Sequence, residues 1–210
     1  MYGLIRCPVC CTARSGRDGL CRGCAEDLFA PEIGHFELSL GVYEGRLGDA
    51  VRAYKFYGTR QLGGLFGRQL AATLAAAAWP VDTLCAVPLH VTRYLHRGYN
   101  QSALVAQSAA AHSGLPYRPL LRRVRTTQQQ ARLGAAAREE NVAGAFSSQP
   151  LSGERVLLVD DVMTSGATLT ECALTLLGAG AGQVYVATIA RASRNQPDKP
   201  LTKPRAEASM

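Results

Sequence analysis

Asp160 and Asp161 stand side by side, directly after four consecutive apolar residues, Val156 to Val159, and shortly before a hydroxyl- and glycine-bearing run. Four apolar residues in a row, with neither a helical period nor strict alternation, read as a parallel strand covered on both faces. In open α/β sheets ligands bind at the carboxyl ends of such strands, so the two carboxylates are placed to meet hydroxyl groups or a metal ion. Val162 and Met163 lead into Thr164, Ser165, Gly166, Ala167 and Thr168, and an amphipathic run from Leu169 to Leu177 then reads as a helix. A small-residue loop that opens a helix points several backbone N–H groups at one spot, with the positive end of the helix dipole behind them. Carboxylates and a phosphate cup a few residues apart suit a ligand with a sugar diol at one end and a phosphate at the other, of which a ribose 5-phosphate is the simplest. No lysine follows the glycine, which excludes the Walker pattern, and a single glycine excludes GxGxxG.

An apolar strand, Asp-Asp, two residues and then Thr-Ser-Gly-x-Thr resembles the signature of the type I phosphoribosyltransferases, which bind 5-phosphoribosyl 1-pyrophosphate (PRPP). The resemblance implies that Asp160 and Asp161 hold the ribose hydroxyls, directly or through Mg2+, that Thr164 to Thr168 hold the 5′-phosphate, and that Val162 and Met163 between them belong to the same PRPP-binding run. It also implies a parallel sheet flanked by helices, with a small hood over the site. Two further signatures narrow the family. Pro88-Leu89-His90-x-x-Arg93-x-x-x-Arg97-Gly98-x-Asn100-Gln101 is similar to the pyrophosphate loop of the ComF family, and places His90, Arg93 and Arg97 near a departing pyrophosphate. Arg125-x-Thr127-x-x-Gln130, continued by Leu133, Arg138, Asn141, Gly144 and Phe146, resembles that family's closing loop, expected to shut over PRPP and exclude water. In this sequence Gln129 precedes Gln130 where the family often has proline, and Ala135 to Ala137 replace charged residues, which bears on loop closure rather than on ligand binding.

The elements that must position these residues are legible in outline. Leu84 to Leu89 reads as a buried strand leading into the arginine loop, and Ser102 to His112 as the helix behind it. Leu47 to Tyr57 and the alanine-rich run Gln61 to Trp79 read as helices, the second closed by Pro80. Lys55-Phe56-Tyr57-Gly58 also matches the ComF pattern. Glu37 to Tyr43 alternates enough for a strand, read here as one arm of the hood. Val184 to Ile189 is the last strand, after the turn at Gly178, Gly180 and Gly182.

Near the amino terminus Cys7-Pro8-Val9-Cys10 and Cys21-Arg22-Gly23-Cys24 form two Cys-x-x-Cys knuckles, whose four thiolates suit a tetrahedral structural Zn2+. Such a metal contributes roughly 10–16 kcal/mol in zinc-folded peptides, enough to order a segment with almost no core of its own. Cys11 is left over. The expected layout is therefore a zinc ribbon over 1–34, a phosphoribosyltransferase-like domain over 35–190 and a disordered basic tail over 191–210.

With 210 residues and 47% hydrophobic content, the chain has material for one α/β core plus a small appendage. No run long enough to cross a membrane is present, and Met1 to Cys7 lacks an apolar leader core, so a cytoplasmic location without membrane insertion is expected. Seven cysteines in that compartment call for an explanation other than disulfides. A formal charge of +7 suits anionic ligands of any kind and does not choose among them. The resemblance implies a Mg2+-dependent phosphoribosyltransferase whose acceptor is unknown, with single-stranded DNA or competence-system proteins as partners. The rival is a PRPP-sensing protein without turnover. Aromatic content of 7%, with no cluster on one strand, argues against a nucleic-acid module alone.

Overall fold

The computed structural model describes residues 28–125 and 142–192. Two short strands open this region, β1 (Glu32–Ile33) and β2 (Glu37–Ser39), followed by helices α1 (Gly45–Phe56) and α2 (Gln61–Ala77). Strand β3 (Thr83–Ala86) leads into the short helix α3 (Val91–Arg97), and α4 (Gln101–Ser113) follows. A two-stranded antiparallel ribbon pairs β4 (Leu121–Arg123) with β5 (Phe146–Ser148). The chain then forms β6 (Arg155–Met163), α5 (Ala167–Gly178) and β7 (Gln183–Arg191).

The main sheet runs in the order β1-β2-β7-β6-β3, parallel except for the β1–β2 pair. Between β7 and β3 lies β6, whose residues Val156 to Val159 are completely buried, as expected of a parallel strand covered on both faces. Leu157 and Val159 face a cluster built with α1, α2 and α4, while Val156 and Leu158 face one built with α5 and the ribbon. Helices α2 and α4 touch backbone to backbone: a Cβ on Gly67 would lie 2.3 Å from that of Ser108. A bidentate pair from Arg155 to Asp82, at 2.9 and 2.6 Å, clamps the amino-terminal end of β6 to the residue just before β3.

Three expectations are corrected. The segment from Glu37 is no hood arm, because β2 pairs in parallel with β7, and the contact continues through a bridge between Val42 and Arg191. Sheet pairing wins there because Leu38 and Leu40 are fully buried and need the core. The arginine segment is not simply a loop: it contains α3, started by the His90 side chain and stopped by Gly98 in the left-handed region at φ 73°. Strand β6 does not end before the acidic pair but runs through it to Met163. Among the described residues no helix is long and apolar enough to cross a membrane.

Candidate functional site

The two neighbours of β6 end at different heights, and the site lies where they part. Strand β3 follows β6 only as far as the pair Ala86 and Val159. Strand β7 continues beside it, pairing Asp160 with Thr188 and Met163 with Arg191. The carboxyl end of β6 therefore keeps a partner on one side and opens on the other into a cleft of about 310 Å³. Val87, Pro88, Leu89, Arg93 and Arg97 form one wall, and the run from Asp160 to Leu169 the other. Tyr43, Lys55, Ser102 and Arg123 complete the lining.

Each aspartate is held by its Oδ1 atom. Asp160 Oδ1 accepts from the Ser102 hydroxyl at 2.9 Å and from the Asp161 N–H at 2.8 Å. Asp161 Oδ1 accepts from the Val162 N–H at 2.6 Å and meets Lys55 Nζ at 2.9 Å. Lys55 comes from the last turn of α1 and Ser102 from the first turn of α4, so three elements distant in sequence fix the pair. Burial, and then the charge of Asp161, raise the pKa of Asp160 above the usual carboxylate range. The Asp161 N–H, the Ser102 hydroxyl and the Lys55 cation pull against that rise.

Beyond the pair, Gly166 adopts φ 80° and starts α5. This left-handed residue turns the chain from strand to helix while leaving Thr164 and Ser165 exposed, and the first turn of α5, from Ala167 to Leu169, lines the cleft. Opposite stand the cations. Arg97 lies with its guanidinium 5.3 Å from the Phe56 ring centre and donates to Gln101 Oε1 at 3.2 Å. Burial lowers its affinity for its proton, and the Asp161 charge opposes that effect. Arg123 arrives from the ribbon, stacked over Phe146 at 5.2 Å. Asn100 ties this wall together, accepting from the Ala103 N–H at 3.3 Å as the cap of α4 and donating to the Val87 carbonyl at 3.0 Å.

A family model described as the phosphoribosyl transferase domain matches residues 68–205. The DNA utilization protein YhgH of Salmonella typhi is 31% identical over 203 residues, spanning 88% of this chain and 89% of its own. Competence protein F of Haemophilus influenzae is 36% identical over 116 residues, 53% of this chain and 51% of its own. Competence protein ComFC of Streptococcus pneumoniae is 26% identical over 194 residues, 90% of this chain and 82% of its own. The chain belongs to the ComF family of phosphoribosyltransferase-like proteins.

Its fold is that of the type I phosphoribosyltransferases, and most residues carrying the ComF signatures meet in one place. Asp160 to Thr168, Pro88, Leu89, Arg93 and Arg97 all line the cleft. His90 does not. It is only 8% exposed, and its Nδ1 accepts from the Thr92 N–H at 3.2 Å and from the Thr92 hydroxyl at 2.7 Å, which leaves the ring proton on Nε2. That Nε2 is buried without a partner, and burial, with Arg123 and Arg93 nearby, depresses the affinity of the ring for a second proton. His90 thus starts α3, from which Arg93 and Arg97 project. Arg125, expected in the closing loop, ends the first described stretch and donates to the Ala143 carbonyl at 2.6 Å. Thr127 and Gln130 lie outside the described residues, as do Cys7, Cys10, Cys21 and Cys24. Among the described residues no group of three or more His, Cys, Asp or Glu side chains could hold a metal ion.

Sequence reasoning missed Ser102, Arg123 and Tyr43, and named Lys55 only within a family signature. Ser102 and Asp160 are 58 positions apart, so nothing local links them. A lysine closing an otherwise half-apolar helix was the available signal for Lys55.

Proposed function

We propose that this ComF-family protein binds PRPP in the cleft together with Mg2+ and transfers its phosphoribosyl group to an acceptor. The observation that carries the reading is the arrangement around Asp160 and Asp161: an anchored acidic pair between a helix-start cup and a set of arginines, in a cleft of about 310 Å³. The carboxylates are suited to accept from the 2′- and 3′-hydroxyls. The Thr164 to Thr168 run, with exposed hydroxyls and helix N–H groups, suits the 5′-phosphate. Arg93, Arg97 and Arg123 are suited to the pyrophosphate, where positive charge is worth most as the bond to C1 breaks. No side chain in the cleft is placed as a nucleophile, so the rate would come from orientation and charge stabilisation.

Two carboxylates alone make an incomplete Mg2+ site, which fits an ion that keeps several waters and takes its other ligands from substrate phosphates. When bound, such an ion would neutralise charge on the departing group. Asp160 and Asp161 are the residues that would face it. In this reading the protein works in the cytoplasm, and Cys7, Cys10, Cys21 and Cys24 hold a structural Zn2+.

The names of the relatives speak of DNA utilization and competence, not of a transferred group. That favours a second reading, in which PRPP is sensed without turnover and the protein acts on single-stranded DNA or on competence-system proteins. One experiment separates the two: calorimetric titration of PRPP with Mg2+ into the full chain, followed by assay of released pyrophosphate with and without a pool of nucleobases and amines. Binding with acceptor-dependent release supports the transferase. Binding without release supports the sensor, and absence of binding overturns both.

A further inference from the structure

The amine of Lys55 stands where a cation is wanted. Its Nζ is 2.9 Å from Asp161 Oδ1, and the two side chains are only 16% and 15% exposed, so the pair is largely withdrawn from solvent. Lys55 does not reach this position by chance of a long surface side chain. Helix α1 is anchored directly beneath it, since Tyr54 is fully buried, donates to the Gln101 carbonyl at 2.8 Å and accepts at its own carbonyl from the Tyr99 hydroxyl at 2.5 Å. The last turn of α1 is thereby locked to the first turn of α4, which also carries Ser102, the partner of Asp160. One rigid junction thus presents an ammonium to one aspartate and a hydroxyl to the other.

Charge around the pair points the same way. Lys55, Arg93, Arg97 and Arg123 line the cleft against Asp160 and Asp161, so cations outnumber carboxylates. A free divalent ion approaching this cleft meets net positive charge, and it must displace a partly buried ammonium to reach Asp161. A polyphosphate ligand reverses the balance: it pairs with the arginines, draws Lys55 toward its own oxygens and brings negative charge that a divalent ion can share.

We infer that Lys55 is the resident counter-ion of the acidic pair, and that it keeps divalent cations out of the cleft until an anionic phosphorylated ligand arrives. Lys55 is a positioning residue in this role, and the inference rests on the assignment of the cleft to a PRPP-like ligand. It goes beyond that assignment by fixing the order of events, with the metal entering with the ligand or after it.

The test is calorimetric titration of Mg2+ alone into the full-length wild type, Lys55→Gln and Lys55→Arg, with thermal melts to check folding. Wild type and Lys55→Arg are expected to give no binding in the millimolar range, whereas Lys55→Gln gains a Mg2+ site. The gain should be on the order of tenfold or more, the effect of removing one unit charge a few ångströms away. Equal Mg2+ binding by wild type and Lys55→Gln overturns the inference. So does equal exclusion by both. A second measurement needs no variant: water-proton relaxation with Mn2+ should show bound metal in the wild type only after PRPP is added, and Mn2+ binding to the protein alone refutes the role. PRPP that fails to bind wild type in either order defeats the ligand assignment instead, and the Mg2+-alone comparison still decides the role of Lys55.

Discussion

Replacing Asp160 by asparagine should make the protein more stable and its cleft less able to hold ligand. The native carboxyl is raised above the ordinary carboxylate range by burial and by the Asp161 charge, so the folded state resists its ionisation. In the pH window between the unfolded-state and the folded-state pKa the folded state binds more protons than the unfolded one, and stability falls as pH rises. Each unit of elevation corresponds to about 1.4 kcal/mol. Asparagine keeps an Oδ1 for the Ser102 hydroxyl and the Asp161 N–H, but has no charge to desolvate. At pH values above the folded-state pKa the variant should therefore exceed the wild type by at least about 1 kcal/mol, or about 2–4 °C in melting temperature for a domain of this size. Near pH 4 the wild-type carboxyl is largely protonated and the two proteins should melt together, about where an unperturbed carboxyl titrates. Ligand binding moves the other way, since a hydrogen bond to a charged group contributes about 1.5–3 kcal/mol, equivalent to a loss of about 10- to 100-fold in PRPP affinity. The assays are melts across pH 4 to 8 and calorimetry with PRPP and Mg2+. A variant that melts below the wild type at high pH, with an unchanged pH profile, would refute the reasoning about burial.

Three other outcomes are expected, two from packing in this structure and one from the cysteine spacing in the sequence. Gly67→Ala would place a Cβ 2.3 Å from Ser108 Cβ and 2.8 Å from the Ala109 nitrogen, and should cost about 1–3 kcal/mol in urea unfolding, partly recovered by Ser108→Gly. Asn100→Ala removes both the cap of α4 and the donor to the Val87 carbonyl; a loss of about 1–2 kcal/mol is expected, with weakened PRPP binding measured calorimetrically because the arginine wall loses its tie. Elemental analysis of the purified chain should give about one zinc per molecule, and Cys7→Ser should lose it without changing PRPP affinity.

The core of the fold was legible because its signals are local. Val156 to Val159 carry no period and are buried on both faces, and the Gly166 turn announces α5. Element edges were less so. Nothing in the sequence says that β6 continues through Asp160, because that extension depends on β7, a strand more than twenty residues later, being long enough to pair as far as Arg191. The placement of β2 failed for a related reason: a short alternating strand fits a hood or a sheet edge equally well, and only the burial of Leu38 and Leu40 decides. For the site, spacing identified the groups that belong to one loop, such as Arg93 and Arg97. It could not identify groups brought together by packing, such as Lys55 with Asp161 or Ser102 with Asp160. His90 shows the reverse error, a chemically versatile side chain in a functional signature that the fold uses to begin a helix.

The early end of β3 turns the last four residues of β6 into a strand edge inside the molecule. Exposed edges invite another chain to add to the sheet, and proteins discourage this with charge. Here the aspartates do so twice over: they place carboxylates on the open margin, and their Oδ1 atoms occupy the N–H groups of Asp161 and Val162. With both replaced by alanine, β6 from Val156 to Met163 would become one uncharged run of high strand propensity beside an open margin, the kind of segment that templates aggregation. The pair that suits a sugar diol thus also supplies the charge on this strand edge, and the double alanine variant is expected to aggregate more readily than the wild type whether or not ligand is present.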